Sequence, residues 1–347
     1  MSSSTFSSVE AQFPGSWYVV VNYGTGELSR VTPDGTVTLI ASGLSGPLGV
    51  AIEGSGTFIV TEDVSHELSR VTSSGTITTI ASGLGGPNGV AIDSAGNYIV
   101  AQSDPPGILS RITPGGAVTT IVSGLSHPAG VAIDGSGNYI VAQQNSGELS
   151  RVTPGGTVTL IASGLSWPQG VAVDASGNYI VVQMHYGELS KVTPGGTVTL
   201  ITGSGLSGPH SVAIDSSGNY IVTEQSVGEL SSVTPGGTVT LIASDFSGVQ
   251  LTGVAAWPPE QTVEKLVETI GTLNLPPAVK TSLLAPLKGA ADLLNDNNPN
   301  NDNAVIGKLG AFMNQVNAKE KNGQLTTEQA AQLRELAQAI LTRLGST

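Results

Sequence analysis

Apolar residues fall along this chain in short blocks of four or five, each ended by a turn signal, and the blocks recur in a fixed order. One phrase reads GPNGVAIDSAGNYIVAQ from Gly86 to Gln102, with near copies starting at Gly46, His127, Trp167 and Gly208. A second phrase, GELSRVTPDGTVTLIASGL from Gly26 to Leu44, alternates with it and recurs from His66, Gly107, Gly147, Gly187 and Gly228. Pro47, Pro87, Pro128, Pro168 and Pro209 lie 40 or 41 residues apart. Self-similarity at that period is the signature of a repeat architecture.

Each repeat resolves into four strands. In the third repeat the blocks predict strands over Gly89–Asp93, Asn97–Ala101, Leu109–Thr113 and Ala117–Val122. DSAGN suits a hairpin, because Asp accepts backbone N–H bonds while Gly and Asn tolerate positive φ. TPGG places Pro and Gly where a β-turn wants them. Four antiparallel strands per unit of this length is the spacing of a β-propeller blade. Val and Ile occupy both parities in GVAI and NYIV, as expected when blades stack and cover both faces. The count predicts an all-β, six-bladed propeller over residues 15–257. The N-terminus supplies three strands, near Ser16–Val21, Glu27–Val31 and Thr36–Ala41, and the missing inner strand appears as LTGVAAW, Leu251 to Trp257. This 1+3 closure removes the open sheet edge.

After Trp257 the period changes from strand to helix. Four helices are expected in a small all-α domain over 258–347. The first spans about Pro259–Leu273 and the second follows Pro276-Pro277. The third covers about Ala304–Ala318, and the last starts at Thr326 or Thr327, where Thr326 and Gln329 are spaced as a capping box. Residues 1–14 are Ser-rich and aperiodic, and read as a flexible arm.

Composition narrows the partners. Only 11% of residues are charged and 4% aromatic, net charge is −13, and 46 residues are Gly. Before residue 258 the only basic residues are Arg30, Arg70, Arg111, Arg151 and Lys191, all at one repeat position. The absence of any other basic patch excludes nucleic acid as a partner. There is no cysteine, hence no disulfide framework and no thiolate chemistry. No apolar run reaches the ~20 residues of a membrane span, and MSSSTFSSVEAQFPG lacks the order of a signal peptide. A polar, acidic, Cys-free repeat chain points to a secreted or cell-surface protein, bacterial or archaeal, without its signal peptide.

PNGVAIDSAGNYIVAQ with a following LSRIT resembles the NHL-type repeat, and the blades are most similar in style to virginiamycin B lyase-like propellers. That resemblance covers roughly Gly15 to Trp257. It implies a His before the inner strand and a Glu after the second, acting with Mg²⁺. His210 in GPHSVAI and Glu224 in IVTE match that spacing and are the candidate catalytic pair. Gln169 stands where a further His is implied, and Gly208 where an acidic metal ligand is. Lactonase-type propellers hold a divalent metal on acid and amide side chains, which makes Glu62 and Glu224 the candidate ligands for Mg²⁺ or Ca²⁺. LGAFMNQVNAKEKNGQLTTEQAAQLRELAQAIL, Leu309 to Leu341, resembles the FIMAH-type helical module of extracellular bacterial and archaeal proteins.

The repeat separates scaffold from site without any alignment. Residues present in every blade serve the blade: Asp93, Asp134, Asp174 and Asp215 read as turn formers, and the Arg/Lys ring as pairing between blades. Residues that break the pattern gather on one face, where the blade-to-blade loops meet the loops joining strands two and three. They are Tyr23, Glu62, His66, His127, Trp167, His185, Tyr186, His210 and Glu224. The position ending strand two forms a ring of Asn22, Glu62, Gln102, Gln143, Gln183 and Glu224. Non-repeated polar and aromatic residues on one face mark a binding surface. The expected function is therefore a non-catalytic binding or interaction module that takes a glycan, peptide or protein at the loop face. The helical tail would serve attachment or assembly into a homo-oligomer or polymer. The alternatives are a metal-dependent lyase- or lactonase-like enzyme using His210 and Glu224, and a structural subunit of a surface fibre or layer.

Overall fold

The computed structural model describes residues 17–256 apart from 54–56, 216, 245 and 247–249. It also describes 266–337 apart from 268–269, 272, 274, 295–301, 328, 332 and 335–336. The expected arm over 1–14, Trp257 and the ends of the first and last expected helices lie outside these residues. The chain divides into two compact units, the propeller and a helical unit from Pro258 onward.

Six four-stranded antiparallel sheets form the propeller. The third blade comprises Pro87–Ile92, Tyr98–Gln102, Ile108–Ile112 and Val118–Ser123, within two residues of the sequence expectation. Closure is as expected. Leu251–Ala256 pairs with Tyr18–Asn22 in the first blade, with Tyr18 opposite Ala256 and Val20 opposite Val254. Every residue of the second strands Tyr18–Asn22, Tyr98–Gln102, Tyr139–Gln143, Tyr179–Gln183 and Tyr220–Glu224 is buried. The cause is stacking. Each apolar cluster mixes two successive blades, as where Ile99, Ala101 and Leu109 pack with Val131, Tyr139 and Val141. Burial of each such side chain is worth about 1.5–3 kcal/mol, so the ring is held mainly by blade-to-blade apolar area.

The inner strands approach one another too closely for a side chain at one point. A Cβ on Gly130 would lie 2.3 Å from the Gln169 carbonyl, and one on Gly253 would lie 2.6 Å from that of Leu48. Asp93 performs the turn role assigned to it. Its Oδ1 accepts N–H bonds from Ala95 at 2.9 Å and Asn97 at 2.8 Å, and the Asp134, Asp174 and Asp215 hairpins repeat the pattern.

The Arg ring pairs blades, as the repeat predicts. Arg70 donates to the Tyr98 hydroxyl at 2.6 Å, and Arg111 and Arg151 donate at 2.9 Å to Tyr139 and Tyr179, each in the next blade. Arg111 and Arg151 also face Asp93 and Asp134 of their own hairpins, at 3.8 and 3.7 Å. Three junctions depart from this rule: Lys191 stands in place of the Arg before Tyr220, and the other two compensate. Phe58 replaces the Tyr opposite Arg30, whose guanidinium lies over the Trp17 ring at 5.3 Å instead. Ser232 replaces the Arg opposite Tyr18, and burial together with the Asp215 carboxylate pushes that phenol up to about 12.

After the propeller come helix α1, Pro277–Leu294, with Pro286 inside it, and helix α2, Asp302–Lys321. Further helical residues lie within 266–271 and 327–337. Leu283, Leu287, Leu309, Phe312 and Val316 are buried. The capping box forms: Thr326 N–H donates to Gln329 Oε1 at 3.0 Å, and Gln329 N–H donates to Thr326 Oγ1 at 3.2 Å. No helix among the described residues is long and apolar enough to cross a membrane.

Arg111→Ala removes the bond to Tyr139 and the pairing to Asp93 without touching the apolar core. It should lower stability by about 1–2 kcal/mol, read by chemical denaturation. An unchanged midpoint would show that the Arg–Tyr clasps contribute nothing.

Candidate functional site

The loop face is built from a clamp repeated around the ring. The side chain ending each second strand turns into the protein rather than toward a ligand. Oε1 of Gln102, Gln143 and Gln183 accepts the N–H of Gly85, Ser126 and Ser166 at 2.7–2.8 Å, and Oε2 of Glu62 and Glu224 accepts that of Ser45 and Ser207 at 2.6 Å. The other end of the side chain meets the Ser of strand three. Gln102, Gln143 and Gln183 donate to Ser110, Ser150 and Ser190, whereas Ser231 donates to Glu224 at 2.5 Å. A hydroxyl both donates and accepts, so Glu224 keeps the bond that Gln makes in other blades, whereas in the second blade, which carries Glu62, Ser69 Oγ is buried without a hydrogen-bond partner. Asn22, one methylene shorter, accepts from the N–H groups of Gly24 and Thr25.

A second repeated feature sets the loops themselves. The residue before each inner strand adopts a left-handed backbone, and its carbonyl accepts the N–H of the residue just after the clamp. Gly46, Gly86 and Gly208 have φ of 57–64°, as the conformation favours, but His127 has φ 53°, Trp167 52° and Gln250 105°. The bonds run from Asp63, Ser103, Gln144, Met184, Gln225 and Tyr23 at 2.8–3.1 Å. The residue preceding strand three is left-handed as well. It is Gly26, Gly107, Gly147, Gly187 and Gly228, but His66, φ 58°, in the second blade. A side chain in this region costs about 1–2 kcal/mol, which Gly avoids. His66, His127 and Trp167 therefore occupy strained positions that most other copies fill with Gly.

The structure brings three of the candidate residues together. His185 lies 6.1 Å from Trp167 and 4.7 Å from Tyr186, ring centre to centre, in tilted and edge-on orientations. Trp167 is 52% exposed and Tyr186 65%. Below them Gln169 is buried, with Nε2 3.9 Å from the Met184 sulfur and Oε1 without a hydrogen-bond partner. His127, in the preceding blade, keeps Nδ1 buried and unpartnered. His66 is exposed on another blade, and Tyr23 donates to Asp63 at 3.4 Å.

His210 and Glu224 share one end of the sixth blade but are each engaged elsewhere. Glu224 is clamped as above. His210 is buried and its Nδ1 bonds the Thr252 carbonyl at 3.1 Å. Burial drives its pKa down to about 4, so the imidazole is neutral at physiological pH. The candidate ligands Glu62 and Glu224 are both buried clamp residues, and no group of three or more metal-binding side chains occurs among the described residues.

Sequence reasoning singled out the loop residues that break the repeat but missed the clamp and the left-handed positions. The signal was present, since His127 and Trp167 align with Gly46 and Gly86, and His66 with Gly26. A cleft of about 630 Å³ at the closure of the ring was also missed. Its walls include Ser29, Asp34, Phe246 and Leu251.

Two measurements test this geometry. Between pH 6.5 and about 4 only the unfolded chain gains a proton at His210. Stability should therefore fall as pH drops through that window, by about 3 kcal/mol, and His210→Gln should flatten the decline. Equal slopes in both proteins would place the imidazole in contact with water. Trp167→Gly should leave stability unchanged or raise it by about 1 kcal/mol, while Trp167→Val should lower it, because a branched side chain tolerates the left-handed region worst.

The sequence matches no family model and no curated protein. Similar solved structures exist. A chain of a nidogen/laminin complex is 18% identical with TM-score 0.61, covering 70% of this chain and 98% of that one. Virginiamycin B lyase from Staphylococcus aureus is 16% identical with TM-score 0.54, covering 69% and 88%. A protein of unknown function from Bacteroides caccae is 15% identical with TM-score 0.57, covering 70% and 98%. At these identities the likeness shows the fold alone, a six-bladed β-propeller that serves both a protein complex and a lyase.

Proposed function

We propose that this chain is an extracellular or cell-surface binding module whose loop face takes a ligand around Trp167, His185 and Tyr186, without turnover. The helical unit, similar in sequence to the FIMAH-type module, would serve attachment or assembly. One observation carries the reading. Trp167 pays backbone strain to hold a large ring in solvent, at a place where three other blades use Gly. Strain kept at an exposed position without a packing gain is the mark of a functional residue. The similar chain from a nidogen/laminin complex supports a propeller as a protein-binding scaffold.

The enzyme alternative draws on His210, a neutral buried imidazole of the kind a general base requires, and on the similar lyase structures. It is disfavoured because Glu62 and Glu224 spend their oxygens on loop N–H groups and, for Glu224, a strand hydroxyl.

Screening wild type and Trp167→Gly/Tyr186→Ser against glycan and peptide arrays should give at least one ligand class bound only by wild type. Streptogramin B and lactone substrates with Mg²⁺ should stay intact. Ring opening that disappears in His210→Ala, or arrays on which both proteins behave alike, would overturn the proposal.

A further inference from the structure

The propeller separates its charges by face. Arg111 and Arg151 reach the Asp93 and Asp134 hairpins, and Arg111 also the Pro154 carbonyl at 3.4 Å, all on the face opposite the loops. The loop face keeps acids instead. Glu67, Glu148, Glu188 and Glu229 each begin a third strand directly after the left-handed residue, and Asp63 and Asp104 sit in the neighbouring loops. Among the described residues none of these six carboxylates has an ion-pair partner, and no Lys or Arg occurs in the loops of this face. Within it stand the exposed rings of Trp167 and Tyr186, with Glu188 two residues beyond Tyr186.

We propose that the Trp167–His185–Tyr186 group seats a basic side chain, Arg or Lys, of a protein or peptide partner. This rests on the loop face being the binding surface and adds the class of ligand. An aromatic face attracts a cation through its quadrupole, more strongly the more the pair is desolvated. Carboxylates without ion-pair partners on the same face add a field of the right sign and steer a cationic partner inward. The chain already uses this contact in its own fold, where the Arg30 guanidinium lies 5.3 Å from the Trp17 ring centre. A neutral saccharide would use the rings but draw nothing from the carboxylates.

The test uses the full chain and two labelled peptides of one length, one with Arg spaced by Gly and Ser, the other with citrulline, the neutral isostere, in place of each Arg. Fluorescence anisotropy at low salt should show the Arg peptide binding at least about tenfold more tightly than the citrulline peptide, a difference of about 1.4 kcal/mol. Trp167→Gly should lose about the same factor while folding normally, and Glu188→Gln should lose less. Binding should weaken at 0.5 M salt. No binding of the Arg peptide, equal binding of both peptides, or a Trp167→Gly affinity equal to wild type would each overturn the proposal. The last outcome would mean diffuse attraction to an acidic surface. A neutral glycan captured on the arrays and lost in the double variant would also overturn it, yet leave the loop-face reading standing.

Discussion

The loop face depends on one side chain per blade, the amide or carboxylate that ends the second strand. Strands two and three leave the buried sheet there, and their connecting loop has little apolar area to hold it. In five blades the side chain reaches one oxygen to a blade-to-blade loop, and in four its other end is seen to bond the Ser of strand three. An unpaired buried N–H costs about 1–3 kcal/mol, so the clamp is retained even where Gln becomes Glu. With both strand ends tied, the loop residues beyond the clamp are free to vary, and there the blades differ.

Most of the fold was legible because each element announces itself locally. Asp and Gly in the hairpin and the Thr326–Gln329 box each have a mechanism needing no tertiary partner, and each forms as expected. Closure was legible from GVAA recurring at the far end of the propeller. The Glu62 and Glu224 carboxylates were read as candidate ligands because residue type alone cannot show which way a side chain turns. Their partners are backbone N–H groups 17 residues earlier, a distance set by blade geometry and invisible to spacing rules. The left-handed sites were legible in principle. Gly recurring in half or more of the copies of a position is a statement about φ, and a His or Trp in the remaining copies is a statement about cost.

Symmetry also assigns weight to the histidines. His210 lies in the ring of residues following the inner-strand prolines, where Leu48, Asn88, Ala129, Gln169 and Thr252 show that no one chemistry is required. Its burial and its bond to Thr252 explain it as packing across the sixth and first blades, a junction without an Arg–Tyr clasp. His127 and Trp167 have no such account, since a Gly in the same place makes the same carbonyl bond.

The closure bears on the distribution of charge as well. Every Arg of the propeller with a described partner is spent on a tyrosine, a tryptophan face or a hairpin carboxylate. These clasps add polar contacts to the apolar packing between blades. Drawing the cations to one side leaves the other with carboxylates only, so the acidity of the loop face follows from how the ring is held together. A partner that meets this face meets a field the scaffold has already set. The few aromatic residues that break the repeat then decide where on that face it comes to rest.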